Sequence, residues 1–152
     1  MHPILKIALL ATFLFAASSC GSNGDVCEGG CECIGAECVC PSTGDCLIDC
    51  GSDCDLQCAG SGACDFFCGV DCLASCTGSG ECLVSVGDGS TVNCPGSGGC
   101  DVDCDGDCVV DCPGSGVCIA RCEPGLSCVI EGCSGSVQSC PDDIQVCNGA
   151  CP

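Results

Sequence analysis

The chain has 152 residues, of which 27 are cysteine, and it carries 21 acidic side chains against two basic ones. Nucleic acid and anionic membrane surfaces are poor partners for such a field, whereas cations are good ones. Beyond residue 20 the only aromatic side chains are Phe66 and Phe67, and His, Trp, Tyr and Lys are absent, so a core of large side chains is excluded and cross-links must take its place.

Residues 1–19 are expected to be a secretory signal peptide. Lys6 precedes an apolar run from Ile7 to Ala17, which is too short to span a bilayer and is followed by small residues. The segment Ala17-Ser18-Ser19-Cys20 resembles the lipobox of bacterial lipoproteins, with Ala17 where that family usually carries Leu. This resemblance implies that Cys20 becomes a lipidated N-terminus holding the protein to a lipid membrane through its acyl chains. Gly21 provides no acidic retention signal, so the outer membrane is implied, on its periplasmic face or at the cell surface; cleavage without lipidation would leave a secreted protein. Setting Cys20 aside leaves 26 cysteines, an even number that can pair completely, and an all-paired chain belongs in an oxidising compartment.

Residues 20–45 are expected to form a lipidated linker and a cysteine-rich N-terminal cap. Cys31-Glu32-Cys33 and Cys38-Val39-Cys40 have the Cys-x-Cys spacing of soft-metal clusters and resemble metallothionein. Alternation with Val and Ile and the exported address favour disulfides over a thiolate cluster.

From residue 46 to 133 the chain repeats every 18 residues. Cys46, Cys64, Cys82, Cys100 and Cys118 share this spacing, as do Cys40, Cys58, Cys76, Cys94 and Cys112, and Gly-Ser-Gly recurs at Gly60, Gly78, Gly96 and Gly114. A strict period of this kind predicts a solenoid. Within Cys100-Asp101-Val102-Asp103-Cys104 the apolar groups alternate with carboxylates, which suits a strand with one buried face. The prediction is therefore all-β: a thin two-sided β-solenoid of 18-residue coils, disulfide-stapled, with two short strands per coil and a rise of about 4.8 Å.

Inward Cβ atoms on the two facing strands of a coil point at one another, whereas those on stacked coils run side by side about 4.8 Å apart, too far for a bridge. Pairing within each coil is thus expected: Cys46–Cys58 with Cys50–Cys54, Cys64–Cys76 with Cys68–Cys72, Cys82–Cys94, and Cys100–Cys112 with Cys104–Cys108. The coil from Cys82 has Val86 and Ser90 at its two inner positions, so both members of one pair are missing together. A looser last coil would pair Cys118 with Cys133 and Cys122 with Cys128. Five cysteines then remain before the first coil and three in a C-terminal cap over residues 134–152; these odd groups require either a cap that folds back or a different last coil.

No catalytic residue is assigned. A His-based triad is excluded, only Arg121 could activate a neighbouring thiol, at Cys122, and paired carboxylates such as Asp101 and Asp103 have no evident pocket; the chain is read as not an enzyme. The short turns place Asp53, Asp71, Asp88, Asp105 and Asp107 along one edge of the stack, where carboxylates and carbonyls could coordinate calcium. The 18-residue coil resembles the RTX β-roll, which implies Ca2+, although the Gly-Gly-x-Gly-x-Asp nonapeptide is absent. Equally, Asp is an ordinary turn residue whose charge maintains solubility. Insect antifreeze solenoids are also similar in their internal disulfides, but the outward columns here mix Leu, Asp, Phe and Ser where those proteins carry Thr. Cys-Gly-Ser repeats of this kind look like those of secreted proteins of Gram-negative soil bacteria, a resemblance that implies no activity. Phe67, Leu83 and Leu73 are expected to form a small exposed apolar patch. The expected function is that of a surface or periplasmic structural, spacer or adhesion-like lipoprotein without a cofactor, with calcium or other cation binding as the alternative. A cell-surface protein or a second copy of the chain is the candidate partner.

Overall fold

A computed structural model of the protein describes residues 26–152; the expected signal peptide and the expected lipidation site Cys20 lie outside the described residues. The chain forms β1 (Val26–Glu28), β2 (Glu32–Ile34), β3 (Glu37–Val39), β4 (Cys46–Cys50), β5 (Asp55–Cys58), β6 (Cys64–Cys68), β7 (Leu73–Cys76), β8 (Cys82–Val86), β9 (Ser90–Asn93), β10 (Cys100–Cys104), β11 (Cys108–Asp111), β12 (Cys118–Cys122), β13 (Cys128–Glu131), β14 (Val137–Ser139) and β15 (Ile144–Cys147). Helix is absent among the described residues.

From β3 to β14 successive strands alternate between two sheets. One runs β1-β4-β6-β8-β10-β12-β15-β14 and the other β13-β11-β9-β7-β5-β3-β2. From β4 to β13 every in-sheet neighbour is parallel and 18 residues apart, or 20 at the last step, with Cys64 level with Cys46 and Cys82. This is a β-solenoid: each coil supplies one strand to each sheet, and the same columns repeat up the stack.

Period-two alternation sends the apolar column inward. Ile48, Phe66, Val84, Val102 and Ala120 are buried from one sheet, and Leu56, Ala74, Val92, Val110 and Ile130 from the other, with the cysteines flanking them. Where the coil from Cys82 lacks its inner cysteines, Val86 is fully buried and Ser90 is only 1% exposed. A buried hydroxyl needs partners. The Ser90 Oγ accepts the Cys72 N–H at 3.1 Å and donates to the Gly69 carbonyl at 3.4 Å, so the missing bridge leaves no unsatisfied group there.

Two turn chemistries set the 18-residue length. In the short turns the third residue takes a left-handed conformation at Asp53 (φ 58°), Asp71 (φ 57°) and Gly89 (φ 74°), a region open to Gly and tolerated by Asp. In the long turns the coils approach too closely for side chains. A Cβ on Gly98 would overlap the carbonyl of Gly80, and one on Gly80 would overlap that of Gly62.

The pairing of the outer cysteines differs from the sequence expectation. The turn-spanning inner bridges are Cys50–Cys54, Cys68–Cys72, Cys104–Cys108 and, in the last coil, Cys122–Cys128. The outer cysteines do not form Cys46–Cys58, Cys64–Cys76, Cys82–Cys94, Cys100–Cys112 or Cys118–Cys133. They join each second strand to the first strand of the following coil: Cys40–Cys46, Cys58–Cys64, Cys76–Cys82, Cys94–Cys100 and Cys112–Cys118, with Cα separations of 5.9 to 6.4 Å. Facing sheets are still what is bridged, as geometry requires. A second-strand cysteine has two facing neighbours, however, one a coil-start below and one above, and the backbone path through the Gly-Ser-Gly turn brings the upper one within reach. Every bridge of the regular stack therefore staples a turn, and none joins two strands of the same sheet.

This shift of frame removes the imbalance at the ends. With Cys40 taken by Cys46, the cap before it holds Cys27–Cys31 and Cys33–Cys38; with Cys118 taken by Cys112, the cap after it holds Cys133–Cys147 and Cys140–Cys151. Among the described residues no bridge runs from one end to the other.

The caps also close the open ladders, which would otherwise invite edge pairing. β1 lies antiparallel on β4, and β15 antiparallel on β12. The second sheet receives no strand beyond β13; there the Gln145 side-chain amide accepts from Ile130 N–H at 3.1 Å and donates to the Cys128 carbonyl at 3.1 Å, as a further strand would. Asn148 does the same for the last long turn, its Nδ2 donating to the carbonyls of Gly114 at 3.1 Å and Gly116 at 3.2 Å.

Candidate functional site

Three features carry the groups from which a function could be built: the stacked sulfurs, the acidic edge of short turns and the outward face of the first sheet. Four sulfur triads have their Sγ atoms within 4.8 Å of one another: Cys40, Cys46 and Cys64; Cys50, Cys54 and Cys68; Cys76, Cys94 and Cys100; and Cys104, Cys108 and Cys128. Each comprises one bridge and one sulfur of the bridge in an adjacent coil, a direct consequence of the 18-residue register. Such triads could hold a soft metal only after reduction, since thiolate is the ligand form, and all 26 cysteines of the described residues are disulfide-bonded. A chain with this many bridges and no free thiol among the described residues is built for an oxidising compartment.

The turn aspartates are drawn into the scaffold. Asp53 and Asp71 occupy the left-handed turn positions. The Asp88 carboxylate accepts the Asp107 N–H at 3.1 Å, and the Asp107 carboxylate accepts the Ser127 N–H at 2.7 Å, so each ties its coil to the next. Asp105 contributes its backbone N–H to Val86 at 2.9 Å and its side chain is exposed. None of the five belongs to the three-ligand groupings among the described residues.

On the first sheet, Arg121 is not simply solvated beside the Cys122 bridge. Its guanidinium pairs with Asp101 and lies 3.5 Å from Asp103, on the neighbouring strand. The hydrogen bond to Asp101, ahead of the attraction of Asp103, holds the Arg121 pKa above its ordinary value against the opposing effect of burial. Next to this pair, Phe67 and Leu83 border a shallow depression of about 230 Å³. Leu73 does not join them, because β7 belongs to the other sheet; the expected three-residue patch is a two-residue one. Sequence reasoning noted Arg121 only as the neighbour of Cys122 and could not foresee the diagonal contact across the β10–β12 register, which depends on the path of a long side chain.

The architecture and the cysteine pattern define a disulfide-stapled, cysteine-rich β-solenoid built on an 18-residue repeat. No family model, curated protein or solved structure matches the chain.

Proposed function

We propose that the protein is an exported lipoprotein, held at the outer membrane through Cys20, whose stapled solenoid serves a structural, spacer or adhesion-like role without catalysis. The observation that carries this reading is the closure of the cysteine set. The 26 described cysteines are all disulfide-bonded, as suits an exported chain, and the lipobox-like Ala17-Ser18-Ser19-Cys20 supplies the candidate anchor. Bridged thiols and the lack of any His after His2 leave neither a Cys nor a His nucleophile pathway, and this supports a non-catalytic role. The acidic exterior supports solubility of a rod with so many repeated edges.

Growth of the producing cell with labelled palmitate is expected to label the wild-type chain and to leave Cys20→Ser unlabelled and released from the membrane fraction. An unlabelled wild type, or a Cys20→Ser variant that stays membrane-bound, would remove the anchor from this reading.

The row of turn aspartates favours calcium binding as a second reading. Because Asp88 and Asp107 already accept backbone amides, calorimetric titration with calcium is expected to give the same small heats for the wild type and for Asp88→Asn/Asp107→Asn. A saturable site in the wild type that disappears in the double variant would place cation binding first.

A further inference from the structure

We propose that the outward face of β6, β8 and β10 is a docking surface for an arginine side chain presented by a basic polypeptide. The proposal rests on the adhesion-like reading for its biological setting, and gives it a surface and a partner class.

The surface follows from the register. Asp65 lies level with Leu83 and Phe67 with Ser85; one strand further, Leu83 lies level with Asp101 and Ser85 with Asp103. Ser85 is the small member of its column between Phe67 and Asp103, and the depression opens over it. Phe67 is 48% exposed and Leu83 41%, which places an aromatic ring and an aliphatic floor in solvent on a chain with only two aromatic residues beyond its leader. Asp65 and Asp101 flank Leu83, Asp103 lies beyond Ser85, and Asp49 is level with Phe67 on the other side.

An exposed apolar floor rimmed by carboxylates suits a cation carried on a hydrocarbon stem, and an aromatic ring suits a guanidinium in particular. The protein illustrates the chemistry itself: the Arg121 guanidinium, approaching from the β12 side, is held by Asp101 and Asp103. Among the described residues Asp49 and Asp65 form no ion pair, since Arg121, the one Lys or Arg there, is engaged by Asp101 and Asp103. Charge complementarity therefore favours a basic partner, and an extended segment could place successive side chains along the stack.

The test is fluorescence anisotropy of a labelled hexa-arginine peptide with the purified exported protein at about 0.15 M salt, where diffuse surface attraction is largely screened. Saturable binding is expected, weakened about fivefold or more by Phe67→Ser and severalfold by Asp65→Asn. Arg121→Gln should strengthen binding, because it frees Asp101 and Asp103. Leu73→Ser and Asp55→Asn, on the opposite sheet, should change it less than twofold. These substitutions are on exposed or half-exposed positions, and unchanged circular dichroism would verify folding. No saturable binding, equal losses from variants on both sheets, or weaker binding by Arg121→Gln would each overturn the proposal. Lipid labelling is read separately, so failure here would not be confused with failure of the anchor.

Discussion

Reduction of the disulfides is expected to abolish the folded state: in excess reductant at neutral pH the far-UV strand signal should be lost, and removal of reductant under slow oxidation should restore it. The inner bridges span a sequence separation of four, or six at Cys122–Cys128, and each outer one spans six; closing loops this short contributes about 2 kcal/mol apiece in the chain-entropy model. What remains without them is little more than one buried apolar side chain per solenoid strand, ranging from Phe66 down to Ala74 and Ala120, together with strong self-repulsion from a net charge of −19. Marginal stability of natural domains is only about 5–15 kcal/mol, so loss of several such bridges suffices. Persistence of the strand signal in a chain whose thiols are all alkylatable would show that ladders and packing hold the solenoid unaided. Peptide mapping of the oxidised protein makes the same experiment specific: fragments linked through Cys58 and Cys64 are expected, and fragments linked through Cys46 and Cys58 would contradict the observed frame.

The second large effect is expected from Gly98→Val. The glycine lies against the carbonyl of Gly80 in the coil below, and any Cβ there meets backbone that cannot rotate away. The bridges Cys94–Cys100 and Cys76–Cys82 hold both turns in place, so the overlap must be relieved by parting the coils and breaking ladder hydrogen bonds such as Cys82 N–H to Gly99 carbonyl, 2.9 Å. A destabilisation of about 3 kcal/mol or more is expected for a backbone clash with this little room to relax. It should be read as a lower guanidinium midpoint under non-reducing conditions and faster amide exchange at Cys82 and Cys100. Val117→Ser, at an exposed position in the following turn, should leave both unchanged. Equal midpoints for Gly98→Val and the wild type would show that the coils are not packed as closely as described.

Much of this architecture is legible in the sequence. The 18-residue period, the alternation in segments such as Cys100–Cys104 and the joint absence of cysteine at Val86 and Ser90 led directly to stacked strands and to the inner bridges. The expected outer bridges differ from those formed because strand alternation shows only that Cys58 points toward the opposite sheet, and the turn that follows it sets Cys64 at a Cα separation of 6.3 Å. One signal pointed the right way: moving the frame so that Cys40 joins Cys46 and Cys112 joins Cys118 turns groups of five and three terminal cysteines into two groups of four. The roles of Gln145 and Asn148 left no such trace, since an amide that replaces a strand or caps a turn is known only from where its chain folds back. The same holds for the apolar patch, where Leu73 was grouped with Phe67 although the two strands lie in different sheets.

Periodicity and cysteine content are local and countable, and they are enough to make this chain a repetitive, covalently stapled β structure. Which facing sulfur each outer cysteine takes, how the two ends are closed and which outward side chains share a face are settled in the folded chain. Those outcomes depend on the path of the backbone through each turn, where shifts of a few ångströms choose between chemically identical neighbours.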